Sequence, residues 1–191
     1  MNEAGHHDLA EWAEQAPDRD QRELRRAVHT VLTAIAQEER LRTSMIIKGG
    51  ILLAVRYRSS RFTRDIDFST SLSLKDINAD EVRQRLDAAL IVAVNGLNYD
   101  LDCRVQACRV LPSNRPEATF PSIELKIGYA PKGTPKHRRL LLGQCPGVIS
   151  IDYSLNEEIL NVERFAFGLD SNRRQAELVG VAGFVHVENS D

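Results

Sequence analysis

The stretch from Ser44 to Ser69 constrains the fold of this 191-residue chain more than any other. Ser44 to Lys48 reads as a strand, Gly49-Gly50 as a break, Ile51 to Arg58 as a short helix and Asp65 to Ser69 as a second strand. A helix start leaves backbone N–H groups without partners, and glycines in front of it let an anion come close. On a strand, residues i and i+2 share a face. Asp65 and Asp67 therefore point one way, while Ile66 and Phe68 point into the core. Two neighbouring carboxylates repel each other unless a cation sits between them. Hard oxygen donors of this kind suit Mg²⁺ bound together with nucleotide phosphates.

The rest of the chain supplies a frame for this unit. A helix is expected to begin near Pro17-Asp18-Arg19-Asp20, where a cap and a first-turn proline or acid are available, and in it Leu24, Val28, Val31, Leu32 and Ile35 recur at helical spacing. Asn78 with Glu81 resembles a capping box for a helix from Ala79 to about Asn95, closed by Gly96. From Tyr99 the period changes to two, and strands are expected at Tyr99–Val110, Ser122–Ala130 and Val148–Ser154. Between the last two, Pro131 to Arg139 reads as a basic turn able to meet a phosphate backbone. This order of elements predicts an α+β domain, a mixed sheet flanked by helices.

Composition narrows the class. With 25 basic and 27 acidic residues, overall charge does not mark a nucleic-acid binder, so an RNA contact needs a local patch. The three cysteines, Cys103, Cys108 and Cys145, show no metal-ligand spacing and fit a reducing cytoplasm. No apolar run is long enough to span a membrane, so none is expected as a partner.

Lys48-Gly49-Gly50, the aliphatic helix and Arg61-Phe62-Thr63-Arg64-Asp65-Ile66-Asp67-Phe68 together resemble the first motif of the AbiEii/AbiGii toxin family. The resemblance implies a nucleotidyltransferase of the DNA polymerase β-like fold, acting as a toxin in a bacterial toxin–antitoxin or phage-defence abortive-infection system. It further implies an NTP substrate, a tRNA or protein hydroxyl as acceptor and a cognate antitoxin. Lys48, Gly49, Gly50, Arg61 and Thr63 become candidates for holding the nucleotide, and Asp65 and Asp67 for holding metal.

Two-metal transfer usually needs a third carboxylate. Asp152 is the candidate, a single acid among the apolar and small residues of Val148–Ser154. The family carries a Lys-x-Asp strand motif near this point, and Ser150 stands where its lysine is expected. Lys126 supplies the charge if its strand pairs in the right register. A rival alignment sets Lys126-Ile127-Gly128 on the motif and loses the carboxylate.

The chain divides into a flexible tail at 1–17, with a short helix as the alternative for Met1 to Ala16, a transferase core at 18–170 and an unmatched tail at 171–191. The family's core is followed by a helical domain with a Glu-x-x-Ala-x-Lys helix. Here Glu158 begins a similar run, with Asn161 and Glu163 in place of the alanine and lysine. The reading is therefore of a chain lacking that domain. Two other functions stay open: a remnant that binds nucleotide or a partner without transferring anything, and an antitoxin-type enzyme that modifies its toxin.

Overall fold

The computed structural model describes residues 7–49, 64–113, 118–145, 147–159, 162–168 and 175–181. The expected helix Ile51–Arg58 and the site candidates Gly50, Arg61 and Thr63 lie outside the described residues.

The elements run β1 (His7–Asp8), α1 (Leu9–Glu14), α2 (Arg19–Gln37), α3 (Glu39–Ser44), β2 (Ile46–Lys48) and β3 (Asp65–Ser69). They continue as α4 (Ala79–Gly96), β4 (Leu101–Leu111), β5 (Ser122–Pro131), α5 (Pro135–Leu141), β6 (Val148–Ser154), β7 (Val162–Gly168) and β8 (Gln175–Val181). Among the described residues, eight strands form one mixed sheet in the order β1-β7-β8-β2-β3-β6-β5-β4. The α+β class expected from the element order is the one observed.

The two long helices start where their caps predict. Asp18 accepts a hydrogen bond from the Gln21 N–H at 2.7 Å. Asn78 Oδ1 accepts from the backbone N–H groups of Asp80 at 2.9 Å and Glu81 at 3.2 Å. Replacing Asn78 with Ala leaves those donors to water and is expected to cost about 1 kcal/mol of stability, read as a lower urea midpoint at unchanged slope. Helices α2 and α4 pack on each other, and α2 lies across β4, β5, β6 and β8. Against them the sheet buries Ile47, Ile66, Phe68, Ile123, Leu125, Ile127, Ile149, Ile151 and Tyr153. The alternation of these residues leaves the intervening polar side chains on the opposite face.

Four expectations change. Residues 1–17 are no flexible tail from Leu9 onward: Leu9, Trp12 and Ala13 are buried, and Arg25 of α2 donates to the Trp12 carbonyl at 2.9 Å. Its guanidinium also lies 5.0 Å from the Trp12 ring centre, a cation–π contact. The strand expected from Ser44 begins at Ile46, because Glu38 caps a further short helix by accepting from the Leu41 N–H at 2.7 Å. Ser44 closes that helix, its hydroxyl donating back to the Arg40 carbonyl at 2.7 Å. The basic turn is largely helix α5, since Thr134 caps it through the His137 N–H at 3.2 Å and Pro135 opens it. Finally, the segment after 170 is not simply a tail, because Gln175–Val181 enters the sheet between β7 and β2.

The strand pair β4–β5 carries an irregularity between Val105 and Ala107. Gln106, the extra residue, donates to the Leu140 carbonyl at 3.2 Å and accepts from the Cys145 N–H at 3.3 Å. This ties α5 to the end of the sheet. A side chain at Gly128 would overlap Leu140, whose Cδ1 lies 2.7 Å from the position of an added Cβ. Cys103 and Cys145 are buried and Cys108 half-buried, all three as free thiols.

Candidate active site

The polar face of the sheet is organised by register. Strand β3 pairs antiparallel with β2 and parallel with β6, which pairs antiparallel with β5 and through it β4. Lys48 is thus opposite Asp67, Asp67 opposite Asp152, Asp152 opposite Glu124, and Glu124 opposite Arg109. One continuous row of charged residues crosses five strands, spaced by about 4.8 Å per strand. Two residues along, a second row aligns Asp65, Ser150 and Lys126. Each residue is here because the core needs its apolar neighbours on the other face.

The three candidate carboxylates are neighbours in this lattice. Asp65 and Asp152 are exposed, and Asp67 is half-buried. Burial pushes the Asp67 carboxyl above its usual range; Lys48 pulls it back, while the charges of Asp152, Asp65 and Glu157 push it further up. Asp152 lies on an interior strand, flanked by β3 and β5, rather than on a sheet edge.

Gly49 is shaped by Asp67. Its φ is +77°, the left-handed region that glycine enters without strain. A Cβ there would collide with Asp67 Oδ2 and lie 3.4 Å from Cγ. The glycine therefore leaves the space that the carboxylate occupies.

Lys126 pairs in register with Ser150, and its ammonium donates to the Ser150 hydroxyl at 2.9 Å. It also pairs with Glu124 at 2.9 Å. A lysine on β5 thus brings positive charge to the position where the motif lacks one on β6.

Lys48 does not stand alone. Its ammonium donates to both oxygens of Glu157 at 2.8 Å and to Ser154 Oγ at 3.2 Å. Ser69 also donates to Glu157. Burial alone would raise the Glu157 carboxyl, but hydrogen bonds from Lys48 and Ser69 and the Lys48 charge hold it below its ordinary value. Glu157 belongs to none of the motifs that the sequence shows. No local pattern marks a residue whose partner is 109 positions away.

In the basic run, Lys136 pairs with Glu23 at 3.4 Å and His137 with Asp102 at 3.1 Å. Lys132, Arg138 and Arg139 are exposed.

The donor set is all oxygen, which suits a hard divalent cation such as Mg²⁺. Burial first, and then the repulsion of neighbouring carboxylates, raises Asp67, and such an ion would offset both. Among the described residues, no three acids, histidines or cysteines are already gathered into a metal cage. The carboxylates instead occupy adjacent rungs.

The model of the nucleotidyl transferase AbiEii toxin family, of type IV toxin–antitoxin systems, matches residues 30–178. The chain belongs to this family. The AbiEii match begins inside α2 and ends inside β8, so it takes in both rows of charged residues and runs past residue 170. No curated protein matches the chain. Among the described residues of this AbiEii chain, no helix is long and apolar enough to cross a membrane.

Proposed function

We propose that this chain transfers a nucleoside monophosphate from an NTP to a hydroxyl of RNA, tRNA foremost, or of a protein, with Mg²⁺ as cofactor. In this reading it is the toxin of a pair and is held in check by a cognate antitoxin. The observation that carries it is the in-register pairing of Asp67 with Asp152, with Asp65 one row away on the same face.

Asp65 and Asp67 would hold the metal that meets the phosphates. Asp152 would share the second metal and orient the acceptor hydroxyl. A bound Mg²⁺ supplies Lewis-acid neutralisation of phosphate charge and activation of the attacking hydroxyl. Backbone N–H groups of Gly49 and Gly50 cradle the triphosphate. Lys48, Arg61, Thr63 and Lys126 offset or bond its oxygens. The acceptor oxygen forms a bond to the α-phosphorus, the bond to pyrophosphate breaks, and the hydroxyl proton leaves to solvent.

The test is transfer of label from each of the four α-phosphate-labelled NTPs to total tRNA and to bacterial lysate protein. Label on one acceptor class, abolished by EDTA and restored by Mg²⁺, is the expected result. No transfer with NTP binding retained would instead establish a non-catalytic binder. Label confined to a toxin encoded beside this chain would establish the antitoxin-type role.

A further inference from the structure

Glu157 joins strands that carry the candidate site. Its carboxylate accepts from Lys48 on β2 through both oxygens at 2.8 Å and from Ser69 on β3. Ser154, the last residue of β6, completes the cage around the Lys48 ammonium at 3.2 Å. An ammonium has three N–H donors, so an incoming phosphate oxygen would take the one that the Ser154 hydroxyl accepts.

The backbone holds the carboxylate in place. After β6 the chain turns through Asn156, whose φ is +60°. The N–H groups of Leu155, Asn156 and Glu157 donate to the carbonyls of Pro121, Leu72 and Thr70 at 2.9, 3.0 and 3.0 Å. The Asn156 side chain donates to the Thr119 carbonyl at 3.0 Å. Three successive residues are thus anchored to two other loops. A solvent-facing glutamate would not require such a scaffold. The lysine and glutamate side chains are each 32% exposed, so the pair is partly shielded from water.

We infer that Glu157 is a positioning residue of the transfer site: it fixes the Lys48 ammonium on the rung opposite Asp67, where the nucleotide's phosphates are to be received. This rests on the transferase reading given above. A free lysine side chain samples many rotamers and loses that freedom on binding phosphate. A lysine already held by Glu157 and Ser154 has lost it in advance, and the binding gains accordingly. Glu157 acts through Lys48 and has no substrate contact of its own.

The experiment uses the full chain as wild type, Glu157→Gln, Glu157→Asp, Lys48→Met and the double variant Lys48→Met/Glu157→Gln. The first readout needs no activity: acetylation of Lys48 by a small reagent, followed by mass spectrometry. Glu157→Gln is expected to raise the labelling rate of Lys48 severalfold relative to the other lysines. The second readout is transfer from labelled NTP. Glu157→Gln is expected to raise KM for the nucleotide about tenfold, the size of one lost charge-assisted hydrogen bond, with a smaller change in kcat. Glu157→Asp should recover part of the loss. In the Lys48→Met background, Glu157→Gln should cost nothing further, because the two residues act as one unit.

Unchanged labelling of Lys48 in Glu157→Gln would overturn the proposal. So would a full additional loss in the double variant, which would make Glu157 a ligand in its own right. A wild-type chain that neither binds nor transfers nucleotide would overturn the transferase reading itself, and the proposed role with it. An active wild type with an equally active Glu157→Gln would overturn the positioning role alone.

Discussion

Asp67→Asn is expected to remove nucleotide transfer, by about a hundredfold to a thousandfold or more, and at the same time to make the protein more stable. The loss follows from the role proposed for Asp67, a carboxylate at the centre of the charge to be neutralised during phosphoryl chemistry. The gain follows from its surroundings. Burial and the charges of Asp152, Asp65 and Glu157 raise its carboxyl, and Lys48 only partly opposes them. For a carboxyl raised in the folded state, the fold binds the proton more tightly than the unfolded chain does. The ionised form therefore detracts from stability, progressively as pH rises from about 4, the unfolded value, through the raised folded value. Asparagine has no such charge. The melting temperature of the variant should match that of the wild type at low pH and exceed it increasingly as pH rises to neutral. Thermal unfolding across pH, with labelled transfer at neutral pH, checks both halves. Sites that trade stability for chemistry behave in this way.

Gly49→Ala is expected to be the most damaging small substitution at the site. It meets two independent penalties. At φ +77° an alanine pays about 1 kcal/mol for the left-handed backbone. Its methyl would also overlap the Asp67 carboxylate, which must move or push the turn aside. The total is expected at about 2–3 kcal/mol, with transfer falling to the level of the Asp67 variant because the same carboxylate is displaced. Gly143 is the natural control. Its φ is +72° and an added Cβ would meet nothing within 4 Å. Gly143→Ala should therefore show the backbone cost alone, about 1 kcal/mol, and transfer at the wild-type rate. Urea unfolding of both variants separates strain from collision.

Local chemistry explains which parts of the fold were legible in the sequence. Asp18 and Asn78 were readable as caps because a cap acts on N–H groups two or three residues away. Strand β6 was readable to its ends because Ile149, Ile151 and Tyr153 alternate strictly with small or acidic residues. The same alternation put Asp65 and Asp67 on one face opposite Ile66 and Phe68, and the burial of those two apolar residues agrees. Helix α5 carried a local signal, Thr134 before Pro135, that the density of basic residues obscured. Helix α3 carried less, since Glu38 is an unusual cap and Thr43 and Ser44 favour strands or turns. Strand β8 lay beyond the last motif and gains its place by pairing with β7 and β2 and by packing against α2 and α3.

The candidate site was legible as a set of residue types, not as a lattice. That Asp152 stands beside Asp67, and Lys126 beside Ser150, depends on the register of three strands. Register is set by the whole buried face, and a one-residue slip would send every polar side chain to the core. Glu157 shows the same limit more sharply, because its partners Lys48 and Ser69 come from strands far earlier in the chain.

The central claim is that the carboxylates of β3 and β6 form one cation site. Its most direct test is binding of Mn²⁺, a paramagnetic substitute for Mg²⁺, in the presence of a non-hydrolysable NTP analogue. Loss of the free-ion resonance signal counts bound metal in the wild type, Asp67→Asn and Asp152→Asn chains. The account predicts saturable binding in the wild type that is weakened at least tenfold in both variants, since each removes a charged ligand. Equal Mn²⁺ binding by the wild type and Asp152→Asn would contradict it, separating β6 from the metal site.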